Sequence, residues 1–306
     1  MPRLQPPVFA ETDEPLPAFS PLVNVLRLNL ALATVDLVAD PASAEAARTQ
    51  WAKQVRFLRR VLAEPNASLL TKRLAASLLE EHWLLLTEWR ARWPAPFPLA
   101  DDGTVEPLSA AEMNLSGAIR SEIALLDKLL RNRAPSEFMG PFDRFVPSVF
   151  WAMTAPTFKL EATGNHIAST LHALTGTQVL PLAQRAQALR ERAAEAERYS
   201  DDNWLTNLAG RIVLADSMLY SDYGQYQYAI NDLAAALALV HLQERLMNAS
   251  PDADLDALVA AAPAFAAIDA SARPRWNANA RTIEWTRLKV PTGEAAKTMR
   301  VPVPAG

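Results

Sequence analysis

Proline most constrains what this chain can fold into. Each of its 23 prolines fixes φ and lacks an N–H donor, so helices start at them or stop before them and the chain is cut into helical segments. Ser20-Pro21 supplies a cap and a first-turn proline for a first helix, and Asp40-Pro41 does the same for a second that runs to about Ala63. A third helix follows Pro65-Asn66 and continues to about Trp93, with Leu70, Leu74, Ala75, Leu78 and Leu85 near one face, until PAPFP ends it. Ser109-Ala-Ala-Glu112 is a capping box, and the helix it opens is expected to carry Leu115, Ile119, Ile123, Leu126 and Leu130 as far as Asn132.

From Ala134 to Pro156 the pattern breaks into an irregular connector packed by Phe138, Phe142, Phe145, Phe150 and Trp151. Helices are expected again over 166–175, 180–199 and 203–219, with Gly224 interrupting before a long helix from Tyr223 to Asn248 and a short one capped by Ser250-Pro251. RWNANARTIEWTRLKV, from Arg275, sets β-branched and aromatic residues around Asn-Ala-Asn and predicts a small hairpin, after which PTGEAAKTMRVPVPAG is extended against the body or loose. The fold class is therefore all-α, a multi-helix bundle or solenoid-like domain with a small C-terminal β-hairpin. The expected organisation is an extended N-terminal arm over 1–19, a helical domain over 20–270, and hairpin plus tail over 271–306.

Charge and composition remove several classes of function. The net charge of −4, from 34 acidic and 30 basic residues spread along the chain, offers no footprint for phosphate backbones, so nucleic acid is not an expected partner. Lys53, Arg56, Arg59 and Arg60 form the nearest thing to a basic cluster and read as a solvated helix face. Without cysteine there are no disulfides, thiolate metal sites or cysteine nucleophiles. Nine glycines with no GxGxxG, GxxxxGK or GxSxG leave nucleotide-dependent and α/β-hydrolase chemistry unsupported, and no cofactor is expected. The apolar run LVNVLRLNLALATVDLVA, from Leu22, is long enough for a membrane but carries Asn24, Arg27, Asn29 and Asp36. It reads as a buried helix, so no membrane-spanning segment is expected.

Two stretches hold candidate site residues. GNHIASTLHALTG contains Asn165 and His166; Asn165 is placed to cap a short helix, and His166 in its first turn is directed toward whatever the connector packs against. His166 and His172 are about 120° out of phase on a helix and cannot share a metal, so no metal site is expected. YSDYGQYQY gathers Tyr220, Tyr223, Tyr226 and Tyr228, whose rings and hydroxyls suit a sugar or peptide, or equally a packed helix corner. Glu80-Glu81-His82 lacks the second histidine of a zinc-protease helix, and His241 reads as a hydrogen-bonded packing residue.

Three stretches, PLSAAEMNLSGAIRSEIALLDKLL (107–130), APTFKLEATGNHIAST (155–170) and the long helix followed by DADLDALVAA and RWNANARTIEW, occur in an order that resembles uncharacterised proteobacterial membrane-anchored extracytoplasmic helical proteins. The chain departs from them where Lys159-Leu160-Glu161 replaces a Pro-Asn-like step. The resemblance implies a periplasmic location and an N-terminal anchor preceding this chain; a chain complete as given would be cytoplasmic. It implies no activity.

These readings favour a non-enzymatic helical scaffold or interaction module that binds a protein partner in a groove between helices. The enzymatic alternative is a polysaccharide lyase. In it Asn165 neutralises a uronate carboxylate, Tyr228 adds a ligand contact, and His166 with Tyr220, Tyr223 or Tyr226 handles protons. Oligomeric state is left open.

Overall fold

The computed structural model describes residues 19–95, 97–99, 103–121, 123–124, 161–165, 180, 184, 187–188, 191, 219–265, 273–287 and 298–304, with the backbone alone over 219–228. The described chain is mostly helical and ends in a small antiparallel sheet. Helix α1 spans Phe19–Ala39, α2 Ala44–Ala63, α3 Leu69–Arg92, α4 Ala110–Met113, α5 Leu219–Met247 and α6 Leu255–Ala260.

Local sequence explains where these helices start. Asp40 accepts from the Ala42 amide and opens a 3-10 turn, Pro41–Ser43, which leads directly into α2. Ser68 caps α3 by accepting from Thr71, and Asp254 caps α6 by accepting from Ala257, a role expected of Ser250. The capping box of Ser109 and Glu112 is present, but α4 is a single turn. The chain breaks at Asn114, whose side chain accepts from Ser116, and helix resumes at 116–121. A Cβ on Gly117 would lie 1.9 Å from the Pro65 carbonyl oxygen, so glycine lets this segment press onto the α2–α3 turn.

Helix α3 organises the described core. It is buried nearly all round, through Leu69, Ala75, Ala76, Leu78, Leu79, Trp83, Leu86 and Trp89, and α2, α5 and the C-terminal sheet all pack on it. Helix α2 is amphipathic instead, sending Ala44, Ala47, Trp51, Val55, Leu58 and Leu62 inward at helical spacing. Each buried tryptophan of this layer has a partner for its N–H. Trp51 donates to the His82 carbonyl at 2.8 Å, Trp83 to the Thr104 carbonyl at 3.0 Å and Trp89 to the Thr34 hydroxyl at 3.2 Å.

The C-terminus exceeds the expected hairpin. Strands β1 (Arg275–Asn277), β2 (Thr282–Thr286) and β3 (Thr298–Pro302) form a sheet in the order β1-β2-β3, with Ile283 opposite Val301 and Trp285 opposite Met299. Ile283, Trp285, Met299, Val301 and Val303 are buried, so the tail is a strand because its alternation matches that of β2. Asn277 accepts from the Ala280 amide in the turn, and Arg281 takes the left-handed conformation at φ 47°. Arg281 then donates to the Pro304 carbonyl at 2.6 Å and its own carbonyl accepts from Val303, which fastens the tail.

One further expectation changes. Gly224 does not interrupt a helix, since α5 runs unbroken from Leu219 to Met247. A glycine inside a helix costs only about 1 kcal/mol relative to alanine, an amount a 29-residue helix carries easily. The connector, most of the helices expected over 166–219 and the arm before Phe19 lie outside the described residues.

Candidate interaction surface

The groups that look chemical in the sequence are used in the core as structural ties. His82 is buried, with Nδ1 2.6 Å from the Leu78 carbonyl and Nε2 2.8 Å from the Gln54 amide. Burial lowers its pKa, outweighing the Leu78 hydrogen bond and Glu81, and so favours a neutral ring. Nδ1 faces the Leu78 carbonyl and Nε2 the Gln54 Oε1, both acceptors, so a neutral ring donates to one of them at a time and the Gln54 contact ties α3 to α2. Gln243 on α5 donates to the carbonyls of Thr87 and Pro302 at 2.8 and 2.6 Å, linking α3, α5 and β3 through one amide. Arg90 donates to the Phe97 carbonyl at 2.9 Å and pairs with Glu244; burial pushes its pKa down to about 10, which keeps it charged at neutral pH.

Two more buried charges follow the same logic. Glu80 is held by Arg287 beyond the end of β2, while Asp232 of α5 lies 4.0 Å from the same guanidinium. Burial raises the Glu80 pKa even against that arginine. Lys72 donates to the Leu62 carbonyl in the last turn of α2 and to the Asn114 carbonyl at 3.1 Å, and burial brings its pKa down to about 8. A lysine facing carbonyls at a helix C-terminus satisfies acceptors the helix leaves open. With only 1% of Lys72 exposed, no substrate could reach its amine.

The basic cluster on α2 divides. Lys53, Arg56 and Arg60 are exposed as expected, but Arg59 is half-buried. It donates to Glu112 at 2.6 and 2.9 Å and to the Glu106 carbonyl at 2.8 Å, so it anchors the loop before α4. His241, on an exposed position of α5, donates through Nε2 to the Val105 carbonyl, 2.8 Å away.

The candidate site residues read from sequence are not brought together among the described residues. Asn165 is exposed at the end of helical residues 161–165, within a helical stretch rather than at its start. His166 lies outside the described residues. Tyr220, Tyr223, Tyr226 and Tyr228 are placed on the first turns of α5 by its backbone, and their side chains lie outside the description. No cluster of three or more His, Asp or Glu suited to a metal occurs among the described residues.

What stands out is α1. Its buried face is narrow, consisting of Leu26, Leu30 and Leu37. Arg27 pairs with Glu81 at 2.9 Å, and Thr34 accepts from Trp89, so the inner side is fixed to α3. The outer side carries Val25, Leu28, Leu32 and Val35, with Leu22 and Val38 on its flanks, each 41–63% exposed, and among the described residues these are the large hydrophobics that face solvent. The expectation of a buried helix therefore fails. Apolar residues surround α1 in the sequence, whereas the neighbouring helices cover only the face of Leu26, Leu30 and Leu37.

Grooves run along both flanks of this outer ridge. One, of about 230 Å³, lies toward α2 and is lined by Asn29, Leu32, Ala33, Asp36, Ala47 and Gln50. The other, of about 420 Å³, lies toward the end of α3 and is lined by Thr34, Val38, Leu85, Glu88, Trp89 and Trp93. Both are open, unlike the gap of about 10 Å³ among Arg48, Trp51, Leu86 and Phe97, which has room for little more than a water.

The chain shows no significant match to any family model, curated protein or solved structure.

By length and composition α1 could also cross a membrane, with mean hydropathy 1.6 over 18 residues, of which 17% lie buried. Its inner contacts speak for a helix seated on a protein body. The side chains of Leu26, Leu30, Leu37, Thr34 and Arg27 all have partners on neighbouring helices or are packed into the same core. A helix lying on lipid also favours lysine and arginine along its polar side, and Arg27, the one basic residue of α1, is held by Glu81.

Proposed function

We propose that this protein is a non-enzymatic helical interaction module, a bundle-like body that docks a helix of a protein partner on the outer face of α1. The observation that carries the reading is the apolar ridge Val25-Leu28-Leu32-Val35, left open between two grooves on a helix whose other face is anchored. Spacing of three and four residues is what helix-in-groove recognition uses, and a contiguous exposed apolar patch is the usual mark of a contact site. The extracytoplasmic location implied by the sequence resemblance belongs to the same proposal.

A photo-crosslinking amino acid at Leu28, Leu32 or Val35, introduced into the chain in cells, tests it. Protein adducts are expected from these positions and not from Lys53, which is exposed on α2. Adducts to lipid alone, or none at all, would sink the proposal.

A further inference from the structure

The charges beside the α1 ridge single out the kind of helix it can take. Among the residues that form the ridge and line its two grooves, three are charged: Asp36, Glu88 and Arg92. Asp36 lines the groove toward α2, and Glu88 lines the one toward the end of α3. The natural partner for Glu88 is Arg92, four residues on along the same helix. The Arg92 guanidinium lies instead over the Trp93 ring, 4.9 Å from its centroid. Neither carboxylate makes an ion pair among the described residues. Burial raises the pKa of Glu88, and no nearby cation offsets it.

The end of the helix between these two groups is anionic as well. The last turn of α1 carries no basic residue, so the negative end of its dipole is uncompensated, and Asp40, one residue beyond it, is exposed. Toward the other end Arg27, the one basic residue of α1, is neutralised by Glu81. The face therefore offers an apolar stripe of about 15 Å, from Val25 to Val35, with negative charge on both flanks of its C-terminal half.

We propose that the helix docked on α1 is a basic amphipathic one: its apolar stripe covers Val25, Leu28, Leu32 and Val35, and its lysines or arginines reach into the grooves to pair with Asp36 and Glu88. This rests on the reading of α1 as a docking face and names the chemistry of the partner. In the groove of about 420 Å³, Val38, Leu85 and Trp93 give a long basic side chain an apolar wall for its methylenes, while Glu88 meets the charged head. Arg92 stacked on Trp93 shows that this wall already accommodates a guanidinium. An acidic or uncharged helix laid on the ridge would cover Glu88 without a counter-ion, and burying an unpaired carboxylate is costly. That penalty selects a basic partner against the others.

The test uses the 306-residue chain and two fluorescein-labelled helical peptides that share a leucine stripe at the spacing of the ridge, one flanked by lysine and the other by glutamate. The lysine peptide is expected to bind about tenfold more tightly than its glutamate twin, the scale of two exposed ion pairs, and the preference should fade in high salt. Asp36→Asn with Glu88→Gln should erase the preference with circular dichroism unchanged, since neither side chain ties two parts of the fold together. Leu28→Ser with Leu32→Ser should abolish binding of both peptides. Equal binding of the two peptides, lost in the serine pair, overturns the charge assignment and leaves α1 a docking face. A preference that survives Asp36→Asn with Glu88→Gln overturns it too, because other charges then cause it. Binding of neither peptide also overturns the proposal. Dimers, or sedimentation with phosphatidylcholine vesicles, abolished by the serine pair would give the face to a second copy or to lipid and overturn it, and the lipid result ends the docking reading as well.

Discussion

Arg59 and Glu112 meet through two hydrogen bonds, 2.6 and 2.9 Å long, across 53 residues of chain. The same carboxylate accepts from the Ser109 backbone at 2.7 Å, so one side chain closes the capping box of α4 and locks the loop onto α2. Burial alone would raise the Glu112 pKa, but the Arg59 and Ser109 hydrogen bonds outweigh it and hold the group below the usual carboxylate range. A depressed carboxylate contributes stability that is present above the unfolded pKa of about 4.3 and is lost as pH falls through the folded value. Glu112→Gln is expected to cost about 1–3 kcal/mol at pH 7, in the range for breaking a charged hydrogen bond. Urea unfolding at stepped pH should show that cost shrinking below pH 4; a constant difference down to pH 3 would refute the assignment.

His82 predicts a different window. Its pKa is depressed by burial, so between the unfolded value of about 6.5 and the folded value the unfolded chain binds more protons, and stability falls as pH drops through that range. His82→Gln, which keeps a donor and an acceptor but cannot charge, should remove this slope while leaving the steeper loss near pH 4. Chevron or equilibrium unfolding between pH 7 and pH 5 reads the difference.

Lys72 predicts the same sign in a higher window. With a folded pKa of about 8 against an ordinary value near 10.5, the folded protein releases its proton first, so stability rises with pH between the two. The stability of the wild-type chain minus that of Lys72→Met should therefore increase from pH 8 to pH 10. A difference that stays flat means the amine is already neutral or better solvated than its burial indicates.

The sequence legibly marked helix starts, because caps and prolines act locally: Asp40-Pro41, Ser109 and Glu112 do what their chemistry dictates. It misled where a tertiary contact decides. The capping box predicted a long helix, yet the chain breaks at Asn114, whose side chain accepts from the Ser116 amide, and Gly117 then packs closely on Pro65. Nothing local in PTGEAAKTMRVPVPAG identified β3, since its pairing with β2 is a long-range relationship and its alternation is only five residues long. The tyrosine and histidine candidates drew on residue type alone. The residues of the α1 ridge lie within the apolar run LVNVLRLNLALATVDLVA, but which of its apolar faces a core covers depends on the neighbouring helices. Counting apolar residues on both sides of α1, against one set of neighbours able to cover them, was the signal available.

Gly117 carries the last prediction. Its φ is not left-handed, so the demand for glycine comes from space: the Cβ of an alanine would sit 1.9 Å from the Pro65 carbonyl oxygen and 3.0 Å from its carbon, atoms of backbone that cannot swing aside. Gly117→Ala must therefore push residues 116–121 off the α2–α3 turn, straining the Lys72 contact to the Asn114 carbonyl three residues away. Overpacking of this kind costs about 1–3 kcal/mol, more than the helix propensity gained by alanine returns. The expected result is a lower Tm for Gly117→Ala and a Tm near wild type for Gly103→Asn, where the glycine has φ 79° but open space and asparagine tolerates that conformation. If Gly117→Ala instead raises the Tm, the close approach at Pro65 does not exist.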